Sequence, residues 1–404
     1  MSLVALLLLL LSGCEEAECA RGDYSAAECR VVAEQDHART LTSTGAEVRF
    51  QEPDAQDAST WQPLGLVQEV EPGRLRLRPA TLMDFAVSVD PGQATELSIV
   101  LDNVAADTVI SVGPLGQEAE VPLVGDPRLS RSLELVLGTG TTWIRGRRPC
   151  PPAYRLVAAG DVQTNPSQFE RLVEDLHRQV DEGEAAGQPL LGFLLLGDLA
   201  QEPTDEQFGA IEDILVGSPV PVSVVPGNHD VYADPYALYN RWFGPGNFAF
   251  DVCRTRVALL DTGGGDLAPS VEARLPELLD KGDADFLVGA THYPPYAERT
   301  GAGFRDSMQA TYLLSEAARN GMDRLVTGHV HYWAEFPSVS TGQGPIHQVI
   351  SGTAGATQGS GNPHFGVTQL RFTDAVETCF SELLVPGRGE ASANSAVPID
   401  RCVD

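Results

Sequence analysis

The sequence predicts an α/β domain of layered sheets and helices, preceded by a small all-β sandwich. Between residues 46 and 145, apolar and polar residues alternate at period two between frequent turn signals, the texture of half-buried strands. Beyond Pro152 the texture changes to short continuous apolar runs separated by helical stripes. That is how strands buried on both faces read when helices cover them. A third observation places the chemistry: the polar motifs cluster where those apolar runs end.

Taken in order, the chain begins with an uninterrupted apolar run over residues 3–11, six leucines in a row at its end. Crossing a bilayer takes about 20 residues, so the run is too short to span and has the length of a signal-peptide core. It ends in Leu11-Ser12-Gly13-Cys14, which resembles the lipobox of bacterial lipoproteins, although no Lys or Arg precedes the run. The resemblance implies cleavage of residues 1–13, lipidation of Cys14, and export to the bacterial cell envelope, at the periplasmic face or the cell surface. Residues 14–45 are polar and read as a lipidated tether, in which Arg21-Gly22-Asp23 is a chance match to an adhesion tripeptide.

Residues 46–145 read as an Ig- or fibronectin-like β-sandwich. Arg74-Leu75-Arg76-Leu77-Arg78 alternates strictly, as do Phe85, Val87 and Val89, Leu97-Ser98-Ile99, and Ser132-Leu133-Glu134-Leu135. Turn clusters at Glu71-Pro72-Gly73, Asp90-Pro91-Gly92 and Gly113-Pro114 separate them, and no chemistry is visible there. Residues 146–152 form a linker stiffened by Pro149, Pro151 and Pro152.

The α/β domain spans 153–385. Leu156-Val157-Ala158-Ala159 is a strand, followed by a helix opening at Asn165-Pro166 with Phe169, Leu172, Val173, Leu176 and Val180 on one stripe. Further strands are read at 193–196, 220–225, 257–260, 286–288 and 325–326, with an acidic helix near 204–216. Strand texture returns over 346–383, and 386–404 is a small, polar tail.

Composition bounds the partners. The 404 residues carry 27 Lys+Arg against 56 Asp+Glu, a formal charge of −29, with 43% hydrophobic residues. Such a surface repels a nucleic-acid backbone and an anionic membrane face. It does not exclude a small phosphorylated substrate, since bound metal ions invert a local field. Seven cysteines stand at 14, 19, 29, 150, 253, 379 and 402; setting Cys14 aside leaves six, enough for three disulfides in an oxidising compartment. Cys19 with Cys29, and Cys379 with Cys402, are plausible local pairs, but spacing alone does not establish the connectivity.

Five polar motifs end the apolar runs: Gly160-Asp161-Val162-Gln163, Gly197-Asp198, Gly227-Asn228-His229-Asp230, Thr291-His292 and Gly328-His329-Val330-His331. Ligands of open α/β sheets bind outside the carboxyl ends of the strands, so all five are expected to converge. Carboxylates and imidazoles together suit divalent first-row ions, and one Asp can bridge two of them.

This ordered set resembles the calcineurin-like metallophosphoesterase family over about 155–375, with its layered αββα sandwich. The resemblance implies a metal-dependent phosphoric ester hydrolase with two divalent or transition metal ions (Mn, Fe or Zn) and a bridging hydroxide. By the same resemblance Asp161, Gln163, Asp198 and His331 hold the first ion, Asp198 bridges, and Asn228, His292 and His329 complete the second. His229 serves as general acid, oriented by Asp230. Gln163 departs from the family, which carries His there; an amide oxygen is a neutral, weaker ligand. The preceding β-sandwich and Ala290-Thr291-His292-Tyr293-Pro294 also resemble the purple acid phosphatases. Those enzymes bind ferric iron with a Tyr where this chain has Gln201, so a tyrosine-bound iron site is not expected.

The first expectation is phosphomonoester cleavage, with a diesterase or nucleotide hydrolase as the alternative. A catalytically weak surface-binding or adhesion lipoprotein is the rival class, favoured only by Gln163. Arg299 and Arg305 are candidate contacts to a substrate phosphate, and Tyr293, Tyr296 and Tyr332 candidate walls. His177 reads as a solvated helix residue, while His347 and His364 lie outside any motif.

Overall fold

The structure is a computed structural model that describes residues 19, 25–51, 62–121, 129–232, 238–297, 302–358, 364–383 and 402. The leader with Cys14, the 21–23 tripeptide and Arg299 lie outside the described residues. No helix among the described residues is long and apolar enough to cross a membrane.

The N-terminal half contains helix α1 (Ala26–His37) and strands β1 (Arg39–Leu41), β2 (Ala46–Phe50), β3 (Gly65–Glu71), β4 (Arg74–Pro79), β5 (Phe85–Pro91), β6 (Thr95–Leu101), β7 (Val109–Gly113), β8 (Ala119–Glu120), β9 (Arg131–Leu137) and β10 (Thr142–Arg147). They form a six-stranded sheet, β1-β2-β5-β10-β7-β8, and a four-stranded sheet, β3-β4-β6-β9. The period-two pattern works as its geometry demands, because alternate side chains leave a strand on opposite faces. Leu75 and Leu77, Leu97, Ile99 and Leu101, and Val87 and Val89 fill the shared core.

The C-terminal half contains β11 (Tyr154–Ala159), α2 (Pro166–Ala185), β12 (Leu190–Leu195), α3 (Asp205–Val216), β13 (Val222–Val224), α4 (Asn228–Val231), α5 (Leu238–Phe243), β14 (Phe248–Val252), β15 (Thr255–Leu260), α6 (Pro269–Leu278), β16 (Phe286–Thr291), α7 (Ser307–Arg319), β17 (Arg324–Thr327), β18 (Trp333–Thr341), β19 (Gly344–Ser351), β20 (Gly366–Phe372) and β21 (Val376–Glu382). Two sheets result, in the orders β13-β12-β11-β20-β21 and β14-β15-β16-β17-β19-β18. In the first, β11, β12 and β13 run parallel and β20 lies antiparallel beside β11; in the second, β15, β16, β17 and β19 run parallel.

Strand β11 shows why its sequence is continuously apolar. Leu156 and Ala158 face the second sheet's Val257, Leu259, Val288 and Ala290. Val157 and Ala159 face outward against Phe169, Leu172 and Leu176 of α2 and Phe208 and Ile211 of α3. On the far side Ala258, Leu260 and Leu287 pack against Val271 and Leu275 of α6 and Leu313 and Ala317 of α7. The order is helix, sheet, sheet, helix, and every central strand is buried on both faces.

Two segments differ from the sequence reading. The stretch read as a tether contains α1, which starts at Ser25, whose hydroxyl accepts the Glu28 amide at 3.2 Å. Its inner face carries charge, Arg30 and Glu34, beside the small Ala27 and Cys29, and periodicity does not reveal a helix whose large buried residues are charged. Nor is 146–152 a free spacer: residues through Arg147 belong to β10, and Arg148 donates to the carbonyls of Leu82 and Leu191, one in each half. The structure pairs Cys19–Cys29, Cys379–Cys402 and Cys150–Cys253, with Cα separations of 5.6, 4.9 and 5.3 Å. The last pair fastens the start of the second half to the turn between β14 and β15.

Candidate metal centre

Five connections leave the carboxyl ends of β11, β12, β13, β16 and β17, and their motifs meet there. Asp161, Asp198 and His329 are non-glycine residues with positive φ, 66°, 54° and 67°. The left-handed region costs about 1–2 kcal/mol for an ordinary residue, so the surrounding fold must enforce it. Each residue stands at or just past the turn that ends a strand. Gly197, at φ +84°, passes so close to the next loop that a Cβ would lie 2.5 Å from the Gly227 amide nitrogen.

The donor atoms fall into two groups that share Asp198. Asp198, His292 and His329 form one, and Asp161, Asp198 and His331 the other, with ligand atoms in each within 4.8 Å of one another. Asn228 joins the first: its Oδ1 lies 3.1 Å from His292 Nε2 and 2.9 Å from His329 Nδ1. Gln163 joins the second, its amide nitrogen 3.2 Å from His331 Nε2. All seven residues named from the sequence are therefore brought together.

The imidazoles are aimed from behind. His292 Nδ1 lies 2.7 Å from the Leu196 carbonyl and His331 Nδ1 2.9 Å from the Thr357 carbonyl. A proton on Nδ1 satisfies each carbonyl and leaves the Nε2 lone pair facing the cluster, the arrangement a metal-binding His needs.

The electrostatics point the same way. Burial and the charge of Asp161 push Asp198 up to about 7. Burial and the neighbouring His292 drive His329 down to about 3, and burial also lowers His292, so both rings are neutral with lone pairs to give. Burial works against a charge on His331, but the hydrogen bond to Asp161 and its charge outweigh it and lift the ring to about 9. The pull that holds a proton on His331 is the pull a divalent cation would feel there.

Asp161 Oδ2 and the amide oxygen of Gln163 are buried without a hydrogen-bond partner, and Asp161 Oδ1 meets His331 Nε2 at 3.3 Å. An unsatisfied buried acceptor costs about 1–3 kcal/mol, more when charged. Two acceptors left this way, beside neutral imidazoles and a shared carboxylate, fit cations in the cluster.

One assigned role changes. Asp230 makes no hydrogen bond to the His229 ring. Its oxygens accept the amides of Leu199, Ala200 and Gly227 at 2.9, 3.2 and 2.8 Å, which ties the Asp198 loop to the Asn228 loop. The ring is oriented by the Gln201 carbonyl, 3.0 Å from Nδ1, and lies edge-on to Tyr232. A carboxylate this deeply buried is held by backbone amides, and a partly exposed imidazole takes the nearest carbonyl.

A profile of the calcineurin-like phosphoesterase family matches residues 154–333. The chain carries a calcineurin-like phosphoesterase domain. With its two donor groups, it is a metal-dependent phosphoester hydrolase. No curated protein sequence matches the chain. Among solved structures it is similar to a purple acid phosphatase from yellow lupin (Lupinus luteus), at 14% identity, 74% of this chain, 70% of that one and a TM-score of 0.47. It is similar also to PhoD, at 12%, 74%, 86% and 0.43, and to a dimetal phosphatase from Danio rerio, at 13%, 57%, 96% and 0.43. Scores below 0.5 leave the family match to carry the assignment.

Around the phosphoesterase centre, Tyr293 forms a wall: it is buried and stacked on His329, ring centres 3.8 Å apart. Tyr296 sits farther out against Phe336. Arg305 is exposed beside Tyr293 and Asp266. His347 and His364 are paired with Glu335 and Glu382, and exposed His177 lies 3.0 Å from the Gly217 carbonyl; none belongs to either donor group.

The sequence reading missed a sixth strand end, after β19. There the Ala354 and Ala356 amides bond to the Gly160 and Asp161 carbonyls, and Thr357 holds His331. The available signal was Ser351-Gly352-Thr353, a glycine just past an apolar run like the others. At Gly352 a Cβ would lie 2.2 Å from the Val330 carbonyl and 2.7 Å from Asp161 Oδ2. Gly352→Ala must displace Asp161 or the His331 loop, and metal titration is expected to show at least a ten-fold loss of affinity with the secondary structure intact.

Proposed function

We propose that this phosphoesterase hydrolyses a small phosphomonoester outside the cytoplasm, anchored to the envelope membrane by lipid on Cys14. The observation that supports it best is the sharing of Asp198 by two donor groups. Asp161, Gln163, Asp198 and His331 would hold one ion, and Asp198, Asn228, His292 and His329 the other. Two such ions would supply Lewis acidity, for activating water as nucleophile and offsetting the charge that develops on the phosphoryl oxygens.

The chain's own residues do the rest. The amide of His229 donates to Asp198 Oδ1 at 2.9 Å and fixes the carboxylate that both donor groups share. The Leu196 and Thr357 carbonyls keep two imidazoles in the ligating tautomer. The His229 ring, with Nδ1 engaged by Gln201, carries a proton at Nε2 to the departing oxygen. Gln163 and Asn228 are neutral, so only two carboxylates oppose two divalent ions. The excess positive charge favours the dianion of a monoester over the monoanion of a diester.

The test is turnover of a panel of monoesters, diesters and nucleotides by the purified chain, with metal analysis before and after chelation. The reading expects two ions per chain, fastest turnover of monoesters, and loss of activity with chelator that added Mn²⁺ or Zn²⁺ restores. Faster turnover of diesters would replace the monoester reading, and activity indifferent to chelation would end the metal mechanism. Lipidation is checked separately, by detergent partitioning of the wild type against Cys14→Ser.

A further inference from the structure

The N-terminal helix α1 lies outside the family match, yet it is built into the phosphoesterase domain by charge. The Arg30 guanidinium, 1% exposed, donates through Nε to Asp261 Oδ2 at 2.5 Å and through Nη2 to Oδ1 at 3.2 Å. Glu34 Oε1 accepts the Gly246 amide at 2.9 Å and the Asn247 side-chain amide at 2.8 Å. Asn247 Oδ1 in turn accepts the Asp261 amide at 2.9 Å. Glu28 accepts the amide and hydroxyl of Ser270 at 2.6 and 2.8 Å, and Cys29 is bridged to Cys19.

The Arg30 and Glu34 contacts converge on the turn after β15. Asp261 Oδ1 also accepts the Gly263 amide at 2.8 Å. Between them stands Thr262, fully buried, whose hydroxyl oxygen accepts the amides of His292 at 3.1 Å and Tyr293 at 2.9 Å. His292 belongs to one donor group, and Tyr293 is stacked on His329 of the same group. The path from helix to centre is thus Arg30, Asp261, Thr262, His292.

We infer that α1 is a positioning element of the metal centre: through Arg30 and Asp261 it holds the Thr262 turn that sets His292 and Tyr293, and so raises affinity for the ion that His292 and His329 would bind. This rests on the two-ion reading of the site. Packing alone would need no guanidinium. A bidentate Arg–carboxylate pair fixes direction as well as distance, and partners behind metal ligands typically govern affinity by about 10–100-fold. Burial pushes Glu34 up to about 8. It is therefore neutral near pH 7, and Arg30 and Asp261 balance each other.

That balance sets the design of the test. Removing one partner strands a buried charge, so the variant is the neutral pair Arg30→Met/Asp261→Asn, beside Thr262→Val, which keeps the volume and removes the acceptor. Each chelated protein is titrated with Mn²⁺ by calorimetry. Wild type is expected to bind two equivalents, and both variants to lose about ten-fold or more on the same single equivalent. Hydrogen exchange on the wild type is a second measurement that needs no variant to fold. Because coupling is reciprocal, Mn²⁺ should slow amide exchange in residues 26–37. Unchanged titration of the neutral pair, or exchange in α1 indifferent to Mn²⁺, overturns the inference. A wild type that binds no Mn²⁺ overturns the two-ion reading, and this inference with it.

Discussion

Asp198→Asn is expected to reduce kcat by about 10³-fold or more and to lower bound metal from two ions to at most one. The carboxylate belongs to both donor groups, so its charge is the one removal that weakens both ions at once. Losing a single fixed donor from a transition-state site already costs about 10²–10³ in kcat. The substitution is nearly isosteric, and the Oδ1 acceptor for the His229 amide survives, so the backbone should hold. Stability of the metal-free protein should move the other way. Burial and Asp161 push Asp198 up to about 7, above its unfolded value near 4. A group raised on folding stabilises at low pH, and that contribution is lost as pH rises through the folded value. After chelation at pH 8, Asp198→Asn should therefore melt at a higher temperature than wild type, while at pH 4 the two should coincide. A variant that keeps two ions and wild-type turnover would remove Asp198 from the centre.

His229→Gln is expected to act on the leaving group and leave the metal sites alone. Its ring belongs to neither donor group, and it is partly exposed where the substrate would enter. General acid catalysis contributes about 10²–10⁴-fold where the departing oxygen needs a proton. Alkyl phosphates should therefore lose about 10²-fold or more in kcat, and aryl phosphates with acidic phenols under about ten-fold. Metal content should stay at the wild-type value. Equal losses on both substrate classes would show that His229 acts through the Asp198 loop and not as an acid. Gln201, which orients the ring through its carbonyl, is indifferent to side-chain substitution in this respect. Sequence alone could not have named that partner, because every residue has a carbonyl.

The legible part of the site was local. Asp161, Asp198, Asn228, His292, His329 and His331 each stand at or just after a strand's carboxyl end, and parallel strands bring those ends to one edge of the molecule. The geometry behind them was not legible. Asp230 next to His229 in sequence suggested a contact, but α4 turns the carboxylate inward onto three backbone amides. The turn after β19 carries backbone carbonyls and amides, whose roles leave almost no mark on residue identity.

The alternation of apolar residues and the strand-end motifs are legible in the chain itself, because both are local and need only neighbours a few residues away. Period two placed Leu75 and Leu77 in the sandwich core, and unbroken apolar runs marked β11 and β12 as doubly covered. The place of α1 is set by long-range contacts. Its buried face bears Arg30 and Glu34, which in isolation read as solvated charge. Arg30 can be buried only because Asp261, 231 residues away, satisfies it. A charge goes inside where a distant partner offsets its desolvation, and that partner is a property of the fold, absent from any window of sequence.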